Sequence, residues 1–133
     1  MANLSMSNLV STSGVVASDV SGVGTARHAI SATTYGADKA IFGYGYVSGA
    51  VSISNLVSNL GVIAADVSGV GTARWHTAAA RYGGDKAIFA FGYTGSYVSM
   101  SNLVNNVGVV AADVTGVGTA RYSLGAAGYS ITA

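Results

Sequence analysis

The nine residues DVSGVGTAR occupy positions 19–27, return letter for letter at 66–74, and come back as DVTGVGTAR at 113–121. Internal repetition is read before any local pattern, because it sets the size of the building unit. SNLV begins at Ser7, Ser54 and Ser101, a spacing of 47 residues, and the same spacing carries Tyr35 to Tyr82 and Tyr129. DKAIF at 38–42 recurs at 85–89 and has no third copy. The chain of 133 residues therefore holds almost three units.

Each unit reads as short strands between turn signals. KAIFGYGY (39–46) is apolar and aromatic between glycines, as a buried strand is. AVSISNLVS (50–58) alternates Val51 and Ile53 with Ser52 and Ser54, and GVIAADV (61–67) and ARHAISATTYG (26–36) complete four candidates. Helix is the competing reading of SNLVSNLGVIAADV, where Leu56, Leu60 and Ile63 fall at helical spacing. Gly61 and the β-branched residues favour strand. Four strands in 47 residues match one blade of a β-propeller, whose blades run to about 40–50 residues.

Half of the residues are hydrophobic, 8% are charged, Gly numbers 19, and Pro and Cys are absent. That balance excludes a solvated, disordered chain. A net charge of +1 gives no basic field for nucleic acid. Without Cys there are no disulfides, catalytic thiolates or Cys-based zinc sites. No apolar run approaches the ~20 residues that span a bilayer, and MANLSMSNLV has neither the basic start nor the long apolar segment of a signal peptide. No membrane insertion is expected. So sparsely charged a surface points to self-association.

The units resemble kelch repeats. KAIFGYG is similar to the kelch strand that ends in glycines, NLGVIAADVSGVG to the two strands that follow, and TAR to the entry into the next blade. Gly43 and Gly45 are separated by Tyr44 where kelch glycines are adjacent, and the kelch tryptophan has no counterpart in GVG. Over its whole length the chain also resembles tandem repeats of bacteriophage tail-associated proteins. That resemblance implies a virion-associated module contacting a cell-surface glycan.

A propeller of about four to eight blades must close to protect its strand edges. Taking a blade from TAR through GVG puts blades at 25–71 and 72–118, the last two strands of another at 1–24, and a first strand at 119–133. The expectation is an all-β partial propeller completed by homo-oligomerisation, most simply a homodimer ring of six blades. The composite blade would lack a DKAIFGYG strand, a slot open to a strand from elsewhere. A β-solenoid trimer is the alternative fold.

Every charged residue except Arg81 falls in a repeated column. A catalytic constellation needs several different groups at one place, so no enzyme activity and no cofactor are expected. The Asp19, Asp66 and Asp113 column enters a Gly-rich turn whose N–H groups a carboxylate can accept. Arg27, Arg74 and Arg121 follow eight residues on, and an Asp–Arg contact in each blade is expected, within or between units. A ring of arginines facing an anionic ligand is the functional alternative. GVGTAR lacks the Lys-Ser/Thr of a P-loop and the third glycine of a dinucleotide fingerprint. His28 and His76 are one position out of register and offer too few donors for zinc.

The framework is constant where the residue after the repeated Arg changes: His28, Trp75, Tyr122. Aromatic residues on a rigid scaffold stack on sugar rings, so Trp75, His76, His28 and Tyr122, with Arg74, are the candidate ligand-binding residues. The bland reading makes them inward packing positions. The resulting expectation is a non-catalytic self-assembling binding module. The competing class is a purely architectural protein, including a designed or excised repeat fragment.

Overall fold

A computed structural model describes residues 2–129. The last four residues of the 119–133 partial unit lie outside the described residues. The fold is all-β, with no helix among the described residues. β1 (Ser31–Tyr35), β2 (Lys39–Gly43) and β3 (Ser54–Val57) form one antiparallel sheet in that order. β4 (Ala78–Tyr82), β5 (Lys86–Tyr93) and β6 (Tyr97–Val104) form a second sheet of the same order. KAIF and SNLV thus become neighbouring strands, in register through Phe42 opposite Asn55 and Phe89 opposite Asn102.

The expected fourth strand, 61–67, does not form, and each sheet has three strands where four were expected per unit. The segment meets β3 only at the bridges Ser54–Val67 and Val57–Ile63, so three steps along β3 answer four along the partner. That extra residue is a bulge. Within it the Asn55 side chain takes the carbonyl of Ala64 at 3.1 Å. Residues 7–20 repeat the geometry with bridges Ser7–Val20 and Val10–Val16, and β6 repeats it with 110–114.

A second bulge follows the apolar strand. Tyr44 and Phe91 adopt φ of 61° and 60°, and the β5–β6 register shifts there. The left-handed turn is uncommon for aromatic residues. Each ring consequently packs toward the following unit: Tyr44 is 1% exposed and meets Phe89 edge-on at 5.2 Å. Gly43 permits this approach, since a Cβ there would lie 2.7 Å from Phe89.

The core lies between the two sheets. Ile41 and Tyr44 of the first pack with Ala87, Phe89 and Val104 of the second, beside Tyr35. Backbone bonds pass from unit to unit at a fixed offset. Gly45 N–H donates to the Arg74 carbonyl at 3.1 Å, and Gly92 N–H donates to that of Arg121 at the same distance. His76 N–H reaches Ala29, and Ser123 N–H reaches His76. Large apolar side chains are exposed along 1–24 and at Leu60, Val62, Val107, Val109 and Val117.

Candidate functional site

The repeated charges assemble into a four-residue network in each full unit. Arg27 donates from Nε to the Tyr44 carbonyl at 2.8 Å, from Nη1 to the Thr25 carbonyl at 3.1 Å, and from Nη2 to Asn55 Oδ1 at 2.7 Å. Asn55 Nδ2 donates onward to Asp66 at 2.8 Å. The loop before Arg27 closes on the same carboxylate: Thr25 donates its N–H at 3.0 Å and its hydroxyl at 2.6 Å to Asp66 Oδ2. Gly24 has φ +73°, and a Cβ on it would strike the Asp66 carboxylate. GVGTAR therefore does cradle an anion, and that anion is a side chain of the same protein.

Thr72, Arg74, Asn102 and Asp113 repeat the arrangement, with Asn102 2.6 Å from Arg74 Nη2 and 2.9 Å from Asp113. Arg74 is fully buried and lays its guanidinium carbon 4.3 Å from the Tyr44 ring centroid. Burial pulls Arg27 and Arg74 below the ordinary arginine value, opposed at Arg27 by Asp66 and at Arg74 by Tyr44 and Asp113. For Asp66 and Asp113, burial works upward. The hydrogen bonds from Thr and Asn, with the arginine charge, outweigh it and hold both carboxyls below the usual range. Arg74 thus lies inside a structural network, away from any surface a ligand reaches.

Each end of the chain carries half of this network. Asn8 donates to Asp19 at 2.8 Å, as Asn55 does to Asp66. Arg121 donates to the Thr119 carbonyl at 3.1 Å, as Arg27 does to Thr25, and lies 4.0 Å above the Phe91 ring.

His28, Trp75, His76 and Tyr122 come together elsewhere, in one strip of rings. Trp75 lies 6.4 Å from His28, 4.6 Å from His76 and 5.2 Å from Tyr46. Tyr93 joins Trp75 to Tyr122 at 5.6 and 5.8 Å, and Tyr97 stacks on Tyr122 at 5.0 Å and 13°. Tyr97 and Tyr122 are 57% and 42% exposed. Sequence reasoning missed Tyr46, Tyr93 and Tyr97, and missed the Asn and Thr members of the network. The Asn and Thr columns were visible in the repeats of SNLV and GTAR. Among the described residues no three His, Asp or Glu side chains gather where a metal could bind, and no helix is long and apolar enough to cross a membrane. Comparison with protein-family models and with curated proteins finds no match.

Proposed function

We propose that the chain is a non-catalytic, self-assembling propeller module whose units continue from one copy into the next. The observation that carries this reading is the split network. Asn8 and Asp19 present the acceptor half, Thr119 and Arg121 present the donor half, and each already holds the internal geometry of the complete networks. A ring of two copies joins donor half to acceptor half twice, closing six blades with the symmetry most common among homo-oligomers.

Charge exchange tests the join. Asp19→Arg sets like charges at both joins of a ring, and so does Arg121→Asp. An equimolar mixture of the two variants gives rings in which both joins again unite opposite charges. Each variant alone should be monomeric at concentrations where the wild type is not, and mixing should restore the wild-type mass. Wild-type mass in either variant alone would refute the join.

The aromatic strip favours a binding role over a purely architectural one. Flat rings exposed on a rigid sheet rim suit the apolar faces of sugars. The resemblance to phage tail-associated repeats makes a cell-surface glycan the ligand class, with a virion as the setting. A glycan array probed with the wild type and Trp75→Ala tests it: binding lost in the variant while the oligomer persists supports recognition, and an array with no bound glycan favours the architectural alternative.

A further inference from the structure

A cavity of about 100 Å3 lies between the N-terminal segment and the first sheet, lined among others by Met6, Val23, Arg27 and Phe42. The counterpart of each, 47 residues on, touches Tyr44. Arg74 lies over the Tyr44 ring at 4.3 Å and Phe89 packs on it at 5.2 Å. The Val70 carbonyl accepts from the Tyr44 hydroxyl at 3.5 Å, and the Ile53 carbonyl accepts from its N–H at 3.0 Å. Arg27, Phe42, Val23 and Met6 occupy those four places around the cavity. The cavity thus has the lining that surrounds the Tyr44 ring one unit on.

The strand that delivers Tyr44 to its socket has a counterpart edge as well. β2 runs beside β3, with Ile41 opposite Leu56 and Gly43 opposite Ser54. Residues 7–10 correspond to β3 and pair with 16–20 on one side. Among the described residues no strand pairs with their other side. An unpaired strand edge next to a side-chain pocket is the surface on which an added strand is recognised, the backbone bonds giving affinity and the pocket specificity.

We propose that this edge and socket bind an extended peptide segment in which a small residue immediately precedes an aromatic one, as in KAIFGYG (39–45). The aromatic ring enters against Phe42 and under Arg27, its hydroxyl toward the Val23 carbonyl and its backbone N–H toward that of Met6. The preceding residue must be small because its position faces Phe42, as Gly43 faces Phe89, where a Cβ would come within 2.7 Å. The second unit keeps the rule with Ala90 before Phe91. The inference deepens the reading of the chain as a module completed by added elements, and it supplies the strand that joining the two half-networks leaves out.

The test is a fluorescence-anisotropy titration of a labelled peptide of residues 38–47 with the full chain, with the mass of each sample followed by light scattering. Saturable binding of one peptide per copy is expected. Tyr44→Ala or Gly43→Val in the peptide should weaken it at least about tenfold. In the protein, Val23→Trp fills the cavity from a position already 38% exposed and should weaken binding equally while leaving the mass unchanged. Absence of saturable binding, or binding indifferent to these substitutions, overturns the socket. If that happens with the oligomer intact, only the socket falls. Peptide binding by a chain that stays monomeric would instead remove the self-assembly reading and leave the socket standing.

Discussion

Arg27 and Asp66 approach to 3.8 Å, yet the side chain between them carries the contact: Asn55 accepts from the arginine at 2.7 Å and donates to the carboxylate at 2.8 Å. Asn55 is 3% exposed and its equivalent Asn102 is fully buried. The pair is therefore held as a bridged unit. The amide also ties the bulged segment 63–67 to its sheet through the Ala64 carbonyl.

Replacing Asn55 or Asn102 with Leu should cost about 2–4 kcal/mol in urea unfolding, because a buried guanidinium nitrogen and a carbonyl lose their partners. Arg74→Met should cost a similar amount by stranding Asn102 and Asp113. Asn8→Leu, in the half-network at the chain's exposed end, should cost under about 1 kcal/mol in the monomer. Unchanged melting and assembly in Arg74→Met would contradict a structural role for the column.

Stability should fall in acid with a defined origin. Asp66 and Asp113 have folded values below the ordinary carboxyl range. Their contribution is fully present above the unfolded value of about 4 and is lost as pH falls through the lower folded values. Asp66→Asn together with Asp113→Asn should flatten the acid limb of the stability profile below about pH 4, measured by urea midpoints at successive pH values.

Ala37 holds φ at 69° where the second unit places Gly84 at 83°. Left-handed backbone is costly for alanine and free for glycine. Ala37→Gly should therefore stabilise the fold by about 0.5–1 kcal/mol, and Gly84→Ala should destabilise it by about as much. Thermal melts of the two variants check both signs.

Tyr97→Ala and Tyr122→Ala remove the two most open tyrosines of the ring strip. Both should lower glycan retention on an array while shifting the melting temperature by only a few degrees, about what 1 kcal/mol produces. Loss of folding in Tyr97→Ala would mark the strip as core.

Three strands of each unit were legible because apolar runs, alternation and glycine punctuation repeat at one spacing; the fourth candidate, 61–67, makes only isolated bridges. Pairing of the charges was harder. The stretch 19–27 crosses from one unit to the next, so Asp19 ends one network and Arg27 begins another; Arg27 meets Asp66, across 39 residues of chain. The Asn column was legible as a repeat but not as a buried one: Asn55 and Asn102 sit opposite Phe42 and Phe89 and are buried with Arg27 and Arg74. His28, Trp75 and Tyr122 stood out as variation within a constant frame. Tyr46 and Tyr93 read as strand interior, whereas cross-strand pairing with His28 and Trp75 brings them to the same rim.

Whether copies complete one another is decided by the solution mass across a dilution series, taken by light scattering behind a sizing column. A mass of two protomers that falls toward one only on strong dilution is expected. A monomer at every concentration would contradict it, and a stable trimer would replace the ring with a fibre-shaft assembly.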